Sequence, residues 1–446
     1  MLSKNSVSAV YDFLLRKFST PSRKTLLKGG AWAFAIKGLS AILSFAMLAF
    51  LARTMTIEGF GVFGFAFSLG TLLAKGALLG QQQLVLKEVS ANSENAKLQR
   101  GVAAHGYGVV AIGCAVAGLL LASSALITGD MIYLAVAAFV TVMAISELQT
   151  SLLRGHGLVA LALGPREIGW RIAVIAFAAA TYFSGISMEP STAMLVIAVL
   201  LVGMVLAQTL AYQPVRPWNL MRKEKEIRDW RRSSMLFWFS SVVNIAAAQL
   251  STVALAFLAA PDKVGPFFAA LKSAQILNLF LLASNIVAAP LLSKAHALGD
   301  KKEMQMISAV VACLGTAFSF CGFLFMVFFG DFILTAFGEG FAEAYPSLVV
   351  LAAGYVAMAA FGPNVQALQM TGHEGVMLRI LFVTNFLGLA LLPFAIWAFD
   401  GIGAAAVVMC TMAVWNVWAW VEVKRRVGID TSFLSMVGRI RISRSS

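Results

Sequence analysis

Charge is scarce in this chain. Only 12% of its 446 residues are Asp, Glu, Lys or Arg, about half of what a soluble protein of this size carries on its surface. That shortage excludes an ordinary water-exposed fold. It also argues against a nucleic-acid partner, because no soluble domain remains to present a basic face. Cysteine and histidine number four each. Cys114, Cys313, Cys321 and Cys410 fall singly in apolar runs, without paired or metal-ligand spacing, so they are expected to be small core residues. No cluster of His, Cys, Asp and Glu has the spacing of a metal site, and no cofactor is expected. The Gly-x-x-x-x-Gly-Lys-Ser/Thr loop of one large class of ATPases is missing as well.

What the chain has is long apolar runs. Hydrophobic residues make up 60% of it, in stretches of about 20 or more, the length that crosses ~30 Å of hydrocarbon. Lipid cannot satisfy free backbone groups, so such runs must be helices, and continuous runs are not the alternating segments of a barrel. The expected fold is all-α and integral to a membrane. Six spans are expected near 28–52, 60–82, 102–127, 131–153, 164–184 and 191–212. Six more follow near 233–259, 264–291, 306–329, 343–368, 377–398 and 402–422. The first run begins near Leu26 and is too long for a signal-peptide core, so it reads as a retained anchor.

The net charge of +13 is sorted by these spans. Of 34 Lys and Arg, all but five fall in or at the edges of the N-terminus, the even-to-odd loops and the C-terminus. Arg53 and Lys263 lie on the other face, and Lys37, Lys75 and Lys272 lie inside spans. The other face carries acids instead, among them Glu58, Asp130, Glu189, Asp262, Asp331, Glu343 and Asp400. By the positive-inside rule both termini are expected to be cytoplasmic. Residues 1–27 form a basic segment in which Val10, Phe13, Leu14 and Phe18 suit an interfacial helix or an unstructured tail alike. Basic linker 213–232 and basic tail 423–446, with Lys424–Arg426 and Arg439–Arg444, are expected to hold orientation.

The halves 28–212 and 233–422 look like repeats. Ile57-Glu58-Gly59-Phe60-Gly61-Val62-Phe63 lines up with Pro261-Asp262-Lys263-Val264-Gly265-Pro266-Phe267, 204 positions on. At the same offset Lys97 meets Lys301. With small insertions, Gly129-Asp130 matches Gly330-Asp331, and Gly155-His156 matches Gly372-His373. Two six-helix repeats around a central cavity is an architecture of transporters.

A charged side chain within a span costs about 2.5–3.5 kcal/mol on insertion scales, so it usually faces a cavity or a partner. Lys37 with Ser40 and Ser44 makes a polar stripe in the first span, as do Ser68, Thr71, Lys75 and Gln82 in the second. Lys272, Gln275, Asn278 and Asn285 gather in the eighth, and Asn244 and Gln249 in the seventh. Glu147 is the one carboxylate clearly within a span, so surplus positive charge is expected there. The expected anion-binding residues are Lys37, Lys75, Lys272, Ser44, Asn244, Gln275 and Asn278. Snorkelling to an interface is the competing fate of the lysines, above all Lys272 near the outer end. Glu147 is read as a structural partner of Arg154 or a lysine, or as a protonatable coupling site. Glu167 and Arg171 read as an i, i+4 pair at the cytoplasmic interface, with Trp170 as an anchor there. His156 and His373 read as turn residues.

Gly29-Gly30-Ala31-Trp32, with Ala49-Phe50-Leu51-Ala52-Arg53 at the end of that helix, resembles the first span of polysaccharide flippases. Glu58-Gly59-Phe60-Gly61-Val62-Phe63 is similar to that family's first external turn. Gly401-Ile402-Gly403-Ala404-Ala405-Ala406 resembles the start of its twelfth span. The group is the Wzx-like branch of the multidrug/oligosaccharidyl-lipid/polysaccharide exporter superfamily. The resemblance implies flipping of an undecaprenyl-pyrophosphate-linked oligosaccharide across a bacterial cytoplasmic (inner) membrane, for O-antigen, capsule or exopolysaccharide. It implies the lipid bilayer and a polysaccharide polymerase or chain-length machinery as partners. The alternative is a cation-coupled multidrug exporter of the same superfamily. Such exporters resemble proteins with acids in the first or seventh span, where this chain has none. A membrane glycosyltransferase, polymerase or ligase is disfavoured by short external segments and by the lack of an Asp-x-Asp motif. The protein is not expected to be an enzyme.

Overall fold

The computed structural model describes residues 21–92, 94–212 and 224–435, with some side chains in the helices, Asn244 among them, outside the described set. Among these residues there are helices and no strands. In chain order the first half holds α1 (Pro21–Arg53), α2 (Ile57–Ala77), α3 (Gln81–Ala91), α4 (Ala96–Thr128) and α5 (Ile132–Gly155). It continues through α6 (Val159–Leu163), a π-helical turn (Gly164–Gly169), α7 (Trp170–Phe183) and α8 (Pro190–Ala211). The second half holds α9 (Glu224–Leu258), α10 (Pro261–Ala274), a 3-10 turn (Gln275–Asn278), α11 (Leu279–Ala297) and α12 (Lys301–Thr335). A second 3-10 turn (Phe341–Ala344), α13 (Tyr345–Ala360), α14 (Asn364–Met370) and α15 (Glu374–Arg426) complete it.

Nine helices among the described residues are long and apolar enough to cross a membrane. Large apolar side chains such as Leu119, Phe328 and Trp397 point outward from them; in water such a surface would aggregate, and in lipid it is at home. The chain is a multi-pass, all-helical membrane protein. Every expected span coincides with a helical stretch, but several are interrupted. The second stops at Ala77, and after Leu79 and Gly80, both with positive φ, the chain resumes as α3. The charged stretch after it, expected as a loop, is therefore largely helical. The tenth breaks at Gly362-Pro363, and α15 runs through the eleventh and twelfth with a sharp bend at Phe399–Asp400. At that bend a side chain on Gly403 would stand 1.9 Å from the Ala395 carbonyl oxygen, so only glycine fits.

The ends of the basic segments are helical too: α1 begins at Pro21 and α9 at Glu224. Val10, Phe13, Leu14, Phe18 and Arg439–Arg444 lie outside the described residues. Matching caps begin the helices at the aligned lysines. Asn95 Oδ1 accepts the Leu98 N–H at 3.0 Å, and Asp300 Oδ1 accepts the Glu303 N–H at 2.8 Å. One aligned pair is not equivalent. Gly129 ends α4 with φ of 73°, whereas Gly330 lies inside α12 against Tyr345. Apolar sequence with frequent glycine produces such matches by chance.

The two halves meet along α2, which packs on both α9 and α10, and where α1 packs on α11. Near the acid-rich turns this seam is filled by aromatic rings. Phe60 lies 5.9 Å from Phe268, 6.2 Å from Phe337 and 5.5 Å from Phe341, and Phe45 meets Phe337 edge-on at 5.1 Å. Phe60, Phe268 and Phe337 are wholly buried. Arg53 at the end of α1 closes this plug from outside, donating from Nε to the Ala336 carbonyl (2.8 Å) and from Nη2 to that of Thr335 (3.3 Å). Those carbonyls lie at the C-terminal end of α12, where Thr335 O also accepts the Gly338 N–H at 3.1 Å, so the cation meets the negative end of a helix dipole.

Candidate functional site: a cationic cavity at the seam

Beneath the phenylalanine plug, a cavity of about 640 Å³ runs from Phe337 to Val365 and Gln366 near the basic end. Both halves contribute walls. From α1 come Lys37, Ser40 and Ser44; from the π turn and α7 come Glu167, Trp170 and Arg171. The second half supplies Lys272, Gln275, Asn278 and Asn285. Five of the seven residues expected from the sequence to bind an anion therefore share one space: Lys37, Ser44, Lys272, Gln275 and Asn278. The side chain of Asn244, the sixth, lies outside the described set. Lys75 is elsewhere.

Local backbone geometry explains the gathering. Lys272, Gln275 and Asn278 are spaced by three, and a 3-10 turn stacks i and i+3 on one face. The helix tightens from α10 into Gln275–Asn278 and so lines the three up. Lys272 Nζ stands 5.2 Å from the Phe268 ring centre and 5.8 Å from that of Phe67, a cation–π setting. No carboxylate pairs with it among the described residues. Its ammonium lies beside these two rings, at the cavity wall.

The other wall is shaped by Pro165. Proline offers no N–H to the carbonyl four residues back, and Gln208 Nε2 fills that role, donating to Leu161 O at 2.9 Å and Ala162 O at 3.2 Å. The chain widens into the π turn Gly164–Gly169, a geometry often found at functional sites. Glu167 is thereby carried inward. Its Oε1 lies 2.5 Å from Lys37 Nζ, its Oε2 accepts the Ser40 hydroxyl at 2.8 Å, and Arg171 Nη1 approaches Oε2 at 3.7 Å. Two expectations are corrected here. Glu167 and Arg171 do form their i, i+4 pair, but in the cavity wall rather than at an interface. Trp170 is buried, donating to the Arg166 carbonyl at 2.6 Å, and is no interface anchor.

Lys75 belongs to a neighbouring cluster. It bonds Glu147 Oε1, whose other oxygen takes Arg166 Nη2 at 3.1 Å. Of the two expected partners of Glu147, Arg154 or a lysine, the structure supplies the lysine, Lys75, while Arg154 is exposed. The expectation that Glu147 stands alone as an intramembrane carboxylate also fails, because Glu167 joins it. So do two arginines first counted with the loops, Arg166 and Arg171. Their signal in the sequence was Gly164-Pro165, a helix-breaking pair within an apolar run. With all of them included, five cations, Lys37, Lys75, Arg166, Arg171 and Lys272, are set against two carboxylates, Glu147 and Glu167, and Lys272 contacts neither. The surplus of positive charge survives the correction, and on the cavity wall itself it consists of Lys37, Arg171 and Lys272 against Glu167.

His156 and His373 sit in turns, held to Leu152 O at 2.9 Å and Thr371 Oγ1 at 3.0 Å. Among the described residues no three His, Cys, Asp or Glu come together as a metal site would require.

Residues 26–296 match the sequence profile of a family described as polysaccharide biosynthesis protein. No curated protein sequence matches the chain. Solved structures share its fold at low identity. One is a multidrug resistance MATE family transporter of the MOP superfamily in an inward-facing conformation (TM-score 0.73, 12% identity, covering 87% of this chain and 94% of that one). Another is a MOP superfamily transporter from Pyrococcus furiosus, described as having a binding pocket of reverse polarity (0.65, 12%, 93% and 98%). A third is the lipid II flippase MurJ in an inward closed conformation (0.62, 12%, 88% and 87%).

Proposed function

The chain belongs to the polysaccharide biosynthesis protein family, and from that premise we propose that it flips an undecaprenyl-pyrophosphate-linked oligosaccharide from the inner to the outer leaflet of a bacterial cytoplasmic membrane. The observation that carries this reading is the cavity wall, where Lys37, Arg171 and Lys272 face a single carboxylate. Uncompensated cations are costly in a low-dielectric surrounding, and a pyrophosphate supplies the charge they lack. Gln275, Asn278 and Ser44 give the neutral hydrogen-bonding groups that a saccharide needs.

In this reading the chain crosses the membrane twelve times, with both termini and the basic loops in the cytoplasm. The phenylalanine plug then closes the outer end, and the cavity serves the inner leaflet. Bundles 28–212 and 233–422 rock about the seam, while the polyprenyl chain stays in lipid between them. Coupling draws on the membrane potential or on an ion gradient, with Glu147 as the candidate carboxylate. No bond is made or broken. A polymerase or chain-length machinery takes the product, as O-antigen, capsule or exopolysaccharide.

The test is genetic and chemical. A strain lacking the protein accumulates lipid-linked repeat units on the inner leaflet, and wild type clears them. A variant with Lys37 and Lys272, the two cavity lysines, both changed to Gln, expressed at wild-type level, does not. Full clearance by that variant would discard the reading. The MATE-like fold favours one alternative, a cation-coupled multidrug exporter; a deletion strain that is drug-sensitive without lipid accumulation would support it.

A further inference from the structure

Glu167 is an acid in a site that the proposed function assigns to an anion. Its carboxylate occupies donors an incoming diphosphate would use, Lys37 Nζ at 2.5 Å and the Ser40 hydroxyl at 2.8 Å, and forms an ion pair with Arg171, whose Nη1 stands 3.7 Å away while donating to the Glu167 carbonyl at 2.5 Å. Two oxygens shared among two cations and a hydroxyl is the coordination of a phosphoryl group as much as of a carboxylate. Across the cavity Lys272 has no such partner among the described residues and faces only the rings of Phe67 and Phe268. The site is therefore half filled. One wall holds its own counter-anion, and the other holds a bare cation.

We propose that Glu167 is an internal stand-in for the substrate's diphosphate, occupying Lys37 and Arg171 in the empty carrier and displaced from them when the headgroup arrives. This rests on the reading of the cavity as a lipid-diphosphate site. Lys272 makes the first contact, since it has no ion pair to break. Transfer to Lys37 and Arg171 then exchanges one anion for another, so the bound headgroup keeps a competitor beside it. That competitor limits affinity and drives release, which a carrier needs: a headgroup held too tightly never leaves. The exchange also loosens the link between α1 and the π turn, because the pair from Lys37 and Ser40 to Glu167 ties those elements together. Headgroup binding and movement of α1 against α7 become one event.

The probe is inorganic pyrophosphate, titrated into purified full-length protein and followed by the fluorescence of Trp170 and Trp415, both on the cavity wall. Glu167→Gln removes the competing charge while keeping the side chain's length, and should tighten pyrophosphate binding by about tenfold or more. Glu167→Asp, one methylene shorter, cannot hold Lys37 and Ser40 together and should tighten it by less. It serves where the glutamine variant fails to fold. Both should flip lipid-linked substrate more slowly than wild type, because release is impeded. Lys272→Gln should weaken pyrophosphate binding. If binding is unchanged or weaker in the Glu167 variants while Lys272→Gln loses it, the stand-in role is overturned and the cavity assignment stands. If Lys272→Gln and a Lys37→Gln variant bind pyrophosphate as wild type does, the cavity assignment fails and takes the stand-in role with it.

Discussion

Gly61 and Gly265 stand against each other where α2 crosses α10, and each is closed off by the other's helix. A side chain on Gly61 would lie 2.8 Å from the Pro261 carbonyl oxygen and 3.1 Å from the Gly265 nitrogen. One on Gly265 would lie 2.8 Å from the Ile57 carbonyl oxygen and 3.2 Å from the Gly61 nitrogen. The contact is reciprocal: positions 57 and 61 meet 265 and 261, their own counterparts 204 residues on. Reciprocity of this kind is the mark of a two-fold relation between the contacting parts. The repeat seen in the sequence therefore meets itself at the plugged end of the cavity.

Backbone-to-backbone approach of this closeness leaves no room for a methyl group. Gly61→Ala and Gly265→Ala should each destabilise the purified protein by about 1–3 kcal/mol through overpacking, read as a lower midpoint of thermal unfolding. Because both act on one contact, the double variant should cost clearly less than the two singles together. Additive losses would show that the helices do not share this crossing.

The partly buried cluster of Lys75, Glu147 and Arg166 makes an asymmetric prediction. Glu147→Gln leaves two partly buried cations without their carboxylate and should cost up to about 3 kcal/mol. Lys75→Gln leaves Glu147 with Arg166 and should cost much less. Thermal unfolding of the two variants compares them directly. If Glu147→Gln unfolds like wild type but its transport no longer responds to the proton gradient, Glu147 is a coupling group and not a structural one.

Much of this arrangement was legible in the sequence. Apolar run length gave the helices, and the cost of burying Lys37 and Lys272 pointed to two residues that line the cavity. Lys272, Gln275 and Asn278 were gathered on one span by sequence, but the 3-10 turn at Gln275–Asn278 that follows Lys272 was not foreseen. What stayed hidden depended on breaks in helices. Glu167 looked like half of a surface pair because a regular helix would leave it near the interface; the π turn after Gly164-Pro165 carries it to Lys37. Lys75 looked like a third ligand because its partner, Glu147, comes from a helix distant in the chain. Charge pairing across helices leaves no local periodicity to read.

Outside the spans, the segment after α15 is pinned by Asp430. Its Oδ1 accepts the Trp420 indole N–H at 2.8 Å, the Ser432 hydroxyl at 2.7 Å and the Ser432 amide at 3.0 Å. Gln305 Oε1 takes the Asp430 amide at 2.7 Å. Partial burial pushes the Asp430 carboxyl up, but the hydrogen bonds from Trp420 and Ser432 outweigh it and hold the group below its usual range. A carboxyl lowered on folding stabilises the docked segment at pH values above its unfolded value of about 3.9, and loses that contribution as pH falls through the lower native value. Neutral pH should therefore keep Val427–Ser435 docked, and acidification below about pH 4 should release it. Asp430→Asn should loosen it at neutral pH, since an amide accepts these donors less strongly than a carboxylate, and the difference from wild type should vanish once Asp430 is protonated. Trypsin cleavage after Arg425 and Arg426 reports the difference: faster in Asp430→Asn than in wild type at pH 7.5. Equal cleavage rates would mean that Asp430 does not hold the segment, and that the buried side chains of Val427, Ile429 and Thr431 suffice to dock it.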